Sequence, residues 1–305
     1  MRLRNALGEA REVAGPDAWV LEPSPPAVSE PPFFADDPVA SGDLDWVQWV
    51  GTDADRAAWA GERWLAAWPR LGAAPATLVE TRKALHRLAC YVMTPARLRA
   101  NGKIGLRWTL GGFGTPFFGN GAQGRISRAG VIVQGHDAAA CEPITTLAGA
   151  AQFVLGGPPD AEWPSQIGVH DCPELGDVNA PLGVDPDAVA FLGAWYGFAW
   201  SVLEEFRTDA ASGDASRVQL WPEHFDASVG PFPGEPRATF GFSPGDGSYA
   251  QPYVYVSVEG DVTGELWNAT FNGAVLPLRE LVDADDQRAT ALEFFRLRRS
   301  ALREH

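Results

Sequence analysis

A chain of 305 residues, 46% hydrophobic and 21% charged, carries enough apolar side chain to bury a sizeable core in one large domain or two smaller ones. Its 24 Lys and Arg against 39 Asp and Glu leave a formal charge of -15, which excludes the broad positive surface that displaces counterions from nucleic acid. Anionic membranes are poor partners for the same reason.

Three cysteines, Cys90, Cys141 and Cys172, cannot all pair and lack the C-x-x-C spacing of a zinc site, so they read as reduced thiols. The N-terminal MRLRNALGEAREV has no apolar segment of a secretory signal, and no later run approaches the roughly 18 apolar residues of a membrane span. A cytoplasmic location is the expectation. The many aromatic residues are expected to serve chiefly in core packing.

Taken in chain order, residues 1–45 read as an extended arm, because the prolines of LEPSPPAVSEPPFFADDP exclude both helix and central strand. A first α+β unit is expected over 46–160. It opens with a helix over 52–68 and a second over 76–93, in which Leu78, Leu85, Leu88 and Val92 share a face and His86 and Arg87 sit off it. Strand signals follow in KIGLRWTL and GRISRAGVIVQ, separated by the Gly-rich GGFGTPFFGNGAQG, and another helix is expected in ITTLAGAAQFVL.

Residues 161–185 read as a linker, within a longer loop rich in Gly, Pro and Asp. A second unit is expected over 186–305, packing either separately or as one domain with the first. It starts with a nearly apolar helix over 185–206 that should be buried against a sheet, and continues with strands over 217–229, 238–242, 252–258 and 265–271. A closing helix has an acidic first turn and a basic end, as the helix dipole favours. Strands in runs between helices point to an α+β fold with mainly antiparallel sheets, built as two helix-plus-strands units that are either related or unrelated.

Two familiar motifs fail on context. GNGAQG, residues 119–124, matches G-x-G-x-x-G but leads into a strand pattern, where a dinucleotide site needs a helix. GFSPG, residues 241–245, matches G-x-S-x-G, yet Ser243 runs into PGDGSYAQP, which is a turn.

The polar cluster in QLWPEHFDASVG is the main candidate site. On a strand through 219–229, His224, Asp226 and Ser228 share a face, and an Asp two residues from a His can orient it as a general base or join it as a metal ligand. The opposing reading is a solvated polar strand face. Asp246, Tyr253, Tyr255 and Asn268 are the polar groups that could join the cluster, and Phe113, Thr115 and Phe117 could supply an apolar wall or simply plug the core.

The segments FDASV and GFSPGDGSYAQPYVYVSV, through Phe225, Asp226, Gly241, Phe242, Pro244, Gly245, Pro252 and Tyr255, resemble a bacterial family described only as domain of unknown function 5996. The likeness is strongest over 186–300. Proteins with WPEHFD and GGFGTP are similar to members from high-GC actinobacteria. The resemblance implies an α+β fold and a soluble bacterial protein, with no activity or cofactor attached.

Three functions are therefore carried forward. The first is binding of a small molecule in a cleft between strand-rich halves, and the second a hydrolase using His224 and Asp226 with or without a metal. The third is an interaction protein that works through its acidic surface or its Pro-rich arm. Cofactor, substrate and oligomeric state have no signal in the sequence.

Overall fold

The computed structural model describes residue 54 and residues 70–304, apart from 110, 117–122, 135–138 and 210–215. The Pro-rich arm, the body of the helix expected over 52–68, and Phe117 and Phe118 lie outside the described residues. The fold is α+β, with two antiparallel five-stranded sheets. The chain divides into two compact units. The first holds Pro75–Ala194 and Leu220–Phe225, and the second holds Trp195–Gln219 and Asp226–His305 together with 70–74.

In the first unit α1 (Leu78–Leu88) runs directly into a π-helical turn, Ala89–Met93, and then α2 (Thr94–Asn101), with Pro95 in the first turn of α2 where no intrahelical N–H is needed. Leu78, Leu85, Leu88 and Val92 are all fully buried, as their spacing predicts. The first sheet follows as a meander of β1 (Arg107–Thr109), β2 (Gly112–Gly114), β3 (Gln123–Ser127), β4 (Gly130–Gln134) and β5 (Ala139–Glu142). GRISRAGVIVQ is thus a hairpin whose strands meet at Ser127 and Gly130, and the strand after GNGAQG takes the place of the helix that a dinucleotide would need. Helix α3 (Leu147–Leu155) is capped by Thr146, which accepts from the Gly149 N–H at 3.0 Å, and a short α4 (Trp163–Gln166) interrupts the long loop.

Helix α5 (Pro186–Thr208) begins in the first unit and ends in the second. Within the first unit its Gly193 lies against the β1–β2 turn. Trp108 Nε1 donates to the Gly193 carbonyl at 2.9 Å, and a Cβ on Gly193 would fall 2.4 Å from the Gly111 carbonyl carbon and 2.7 Å from the Gly112 nitrogen. Only a hydrogen side chain allows that approach.

The second sheet runs β6 (Gln219–Trp221), β7 (Asp226–Val229), β8 (Ala238–Ser243), β9 (Tyr253–Val258) and β10 (Gly273–Pro277), each next to its neighbour in sequence. Helices α6 (Leu278–Asp283) and α7 (Gln287–Arg303) close the chain, the latter capped by Asp286, which accepts from the Ala289 N–H at 2.9 Å. One face of this sheet is an aromatic core. Phe240 and Phe242 point toward Phe206 of α5 and Phe295 of α7, with ring centroids 4.8 to 5.7 Å apart, and Trp195 and Phe198 meet Phe242 at 5.4 and 5.8 Å. Each such pair adds about 0.5–1.5 kcal/mol beyond the area it buries.

Arg299 of α7 covers the Phe232 ring at 3.8 Å and forks onto Glu235 through bonds of 2.8 and 2.6 Å. These bonds, with Arg303 adding to them, outweigh partial burial and hold the Glu235 carboxyl down at about 2.

Two expected strands are corrected. The run 219–229 is not continuous: Pro222–Phe225 forms a turn between β6 and β7, closed by a 2.7 Å bond from the Phe225 N–H to the Trp221 carbonyl. Phe225 takes a left-handed φ of 56, uncommon for a bulky residue, and its buried ring is held by stacking on His86 at 5.2 Å and by the edge of Phe113 at 5.0 Å. Second, ELWNATF is a loop, and the strand is Gly273–Pro277. The side-chain amide of Asn268 stands in for a neighbouring strand, accepting from the Val275 N–H at 2.8 Å and donating to the Val275 carbonyl at 3.1 Å.

The Gly193 contact makes a direct prediction. Gly193→Ala should lower stability by at least about 2 kcal/mol, because the added methyl meets backbone that cannot step aside. Urea unfolding measures it, and a loss under about 0.5 kcal/mol would contradict the close packing.

Candidate functional site

Alternation along the second sheet decides what its other face carries. With Phe240, Phe242, Val254 and Val256 turned to the aromatic core, Asp226, Ser228, Gly241, Ser243, Tyr253, Tyr255 and Val275 face the opposite way. That face is polar yet closely packed: Asp226 is 5% exposed, Tyr253 7% and Tyr255 8%.

Two tyrosine–carboxylate pairs organise it. The Tyr255 hydroxyl donates to Asp226 Oδ2, and the Tyr253 hydroxyl donates to Asp246 Oδ2. In the register Ser243 stands opposite Tyr253, and Ser228 stands opposite Gly241, in the same row as Tyr255. Gly241 leaves the room for this arrangement, since a Cβ there would sit 2.5 Å from the Tyr255 ring.

The three tyrosines step inward from solvent. Tyr249, half-buried, lies 4.9 Å from Tyr253, which in turn lies 6.0 Å from Tyr255. Asp246 is exposed at the outer end, where its Oδ1 accepts from the Ser248 and Tyr249 N–H groups at 2.6 and 2.8 Å and so fixes the turn. The Tyr249 hydroxyl accepts from the Thr270 N–H at 3.0 Å, holding the 259–272 loop beside the cluster.

Burial first, then the Asp226 charge and hydrogen bond, push the Tyr255 phenol well above its usual range. Burial and the Asp246 bond raise Tyr253 in the same way. Both phenols are therefore neutral hydrogen-bond donors at physiological pH, unsuited to act as bases or as phenolate nucleophiles.

The sequence-derived candidates fall in different places. Asp226, Asp246, Tyr253 and Tyr255 come together on this face. Asn268 lies at the edge of the same sheet, committed to Val275. His224 is exposed in the turn of the first unit, while Asp226 is buried in the second, so the single strand that would have put them on one face does not exist. Phe113 and Thr115 belong to the first unit: Phe113 packs on Phe225, and the buried Thr115 hydroxyl accepts from the Gly124 N–H at 3.1 Å. Ser243 ends β8 and accepts from the Gly245 N–H at 3.1 Å, a turn and not a nucleophile elbow.

Tyr249 and Ser243 are not site candidates in the sequence, and Ser228 enters only as a neighbour of Asp226 on one strand face. Ser243 reaches the tyrosine face through the register that sets it opposite Tyr253, a pairing that strand alternation alone does not give. Tyr249 has no local signal, because its position depends on the turn that Asp246 builds.

The first unit holds a second polar cluster, around the carbonyl of Pro222. His86 Nε2 donates to it at 2.7 Å and the Cys90 thiol at 3.0 Å, with Glu223 alongside. Desolvation lowers His86 to about 4 against the partial support of these backbone bonds, so the ring is neutral at physiological pH. Among the described residues no group of three or more His, Cys, Asp or Glu could hold a metal ion, and no helix is long and apolar enough to cross a membrane.

Because the folded pKa of His86 lies below that of the unfolded chain, the folded state binds fewer protons between them. Stability should therefore fall as the pH drops from about 6.5 to about 4, by up to about 3 kcal/mol, and level off below. Thermal melts across that range, run beside His86→Gln, check it. A variant that keeps the same acid dependence would show that His86 is not its source.

No family model, curated protein or solved structure matches this chain.

Proposed function

We propose that the protein binds a small molecule rich in hydrogen-bond donors, an amine or a polyol, at the tyrosine-lined face of the second unit. The observation that carries this reading is the inward series Tyr249, Tyr253, Tyr255, with a carboxylate at each end in Asp246 and Asp226. Aromatic rings supply flat apolar contact, and the fixed carboxylates supply acceptors, the combination by which protein pockets hold hydroxylated or cationic ligands. The net charge of -15 favours approach of a cation over that of an anion.

The phenols donate inward to the carboxylates, so the ligand is read by acceptors and by ring faces, with no residue placed to move a proton. Membership of the bacterial family that the 225–255 segment resembles belongs to the same proposal, and the binding chemistry rests on the side chains alone.

Thermal denaturation in the presence of single amines and polyols tests the reading. A ligand present at about 100 times its dissociation constant should raise the melting temperature by about 5 °C or more. The gain should shrink in Tyr253→Phe and in Asp246→Asn, which alter one hydroxyl and one exposed carboxylate. Stabilisation that is the same in both variants would place the binding elsewhere, and absence of any stabilisation across both ligand classes would end the proposal.

A further inference from the structure

A groove of about 1020 Å³ opens along α5 and α7, on the side of the second sheet away from the tyrosine face. Its walls follow helical spacing. Phe198 and Glu205 lie seven residues apart on α5, and Ala289, Leu292, Glu293, Arg296 and Leu297 stand three or four apart along one face of α7. Two helices that present such stripes to one groove form the seat into which a third helix packs.

Phe198 and Leu292, 2% and 3% exposed, form the floor, and Leu297 stands on the wall 47% exposed, a large apolar side chain left to water. The cations around the groove are engaged within the protein. Arg288 meets Glu205 at 2.6 Å and the Ser201 carbonyl at 2.7 Å, and Arg296 meets Asp209 at 2.7 Å. The groove therefore offers apolar contact more than a binding point for an anion.

Residues 70 and 71 are fixed at one end of it. Arg70, on the rim, donates to the Val282 and Asp285 carbonyls at 2.7 and 3.0 Å. Leu71 exchanges two bonds with the Gln287 side chain, its N–H donating to Oε1 at 2.8 Å and its carbonyl accepting from Nε2 at 2.9 Å. These four bonds clamp the chain to the start of α7, so the segment before Arg70 must leave from there.

That segment is TDADRAAWAGERWLAAW, residues 52–68, whose pattern predicts a helix. Ala54, its one described residue, is helical. Pro69 ends such a helix beside Arg70, because a proline pushes the residue before it out of the helical region. On a helix Ala57, Gly61, Trp64 and Trp68 share one face, and Asp55, Trp59 and Glu62 lie on the opposite one. The 17 residues equal the 17 of α7, a length of about 25 Å.

We propose that residues 52–68 of this chain form a helix seated in the groove, antiparallel to α7, with Trp64 and Trp68 turned onto the apolar floor and Leu297. The direction follows from the clamp, which ties the C-terminal end of the segment to the N-terminal end of α7. The small Ala57 and Gly61 let the helix axes come as close as about 8–10 Å. Seating the helix takes Leu297 and two indole rings out of water. The groove is then filled by the protein's own chain in place of a partner.

Hydrogen–deuterium exchange on the full chain, followed by mass spectrometry, tests this. Amides of 56–68 should exchange about 100-fold or more slowly than those of a synthetic peptide of the same sequence. Leu297→Arg and Trp64→Ser should each speed that exchange by about tenfold or more, while amides of β8 and β9 keep their wild-type protection. Trp59→Ser, on the opposite face, should change nothing.

The wild-type measurement needs no variant to fold. Exchange of 56–68 at the rate of the peptide, or protection that survives Leu297→Arg or Trp64→Ser, would overturn the proposal. Protection lost on dilution, with a dimer in native mass spectrometry, would overturn it as well, because a second copy would then be the occupant.

Discussion

The second unit depends on one constraint: four consecutive strands must turn every other side chain toward a core centred on aromatic rings. Phe206, Phe232, Phe240, Phe242 and Phe295 meet edge to face or tilted behind β8, and no polar group could enter that layer without losing its hydration. On β7, β8 and β9 the alternate positions are then where polar side chains lie. Asp226, Ser228, Ser243, Tyr253 and Tyr255 occupy them and must satisfy one another. The tyrosine–carboxylate pairs follow from this packing rule. They also leave a directional surface, because each phenol points its proton at a carboxylate and presents its ring to whatever covers the sheet.

The first unit solves a different problem. Its sheet is short and glycine-rich, and it is held close to a helix by the absence of a side chain at Gly193 and by the Trp108 bond to the same residue. Leu220–Phe225 completes it, with Phe225 in a left-handed conformation that lets its ring stack on His86. Around that turn the Pro222 carbonyl collects a histidine and a thiol. The result is a desolvated cluster in which burial holds the His86 ring neutral.

Much of the fold was legible in the sequence, because helix stripes and strand alternation are local signals. The Leu78–Leu85–Leu88–Val92 face, the apolar helix from Pro186 and the YVYVSV strand all lie where periodicity puts them. What could not be read was anything decided by a distant partner. The 219–229 run alternates like a strand, yet the packing of Phe225 on His86 and Phe113 turns it back. ELWNATF has strand composition, but Asn268 satisfies the edge of β10 with its side chain and leaves the backbone as a loop. The site was half legible for the same reason. Tyr253, Tyr255, Asp246 and Asp226 stood out by residue type, whereas His224 was joined to them only through a strand that the turn interrupts. The course of the loop through Pro173 and Leu175 had no visible anchor in the sequence, because the Arg87 and Tyr91 bonds that hold it span more than 80 residues.

The account of the second unit rests on the bond between Tyr255 and Asp226 as the inner anchor of its polar face. A double-mutant cycle in urea, with Tyr255→Phe, Asp226→Ala and the two combined, isolates that bond from the packing of each side chain. A coupling energy of about 1.5–3 kcal/mol, the range for a hydrogen bond to a charged group, is the predicted result. Costs that simply add would show that the two residues are neighbours without an anchoring bond, and the polar face would lose the element that organises it.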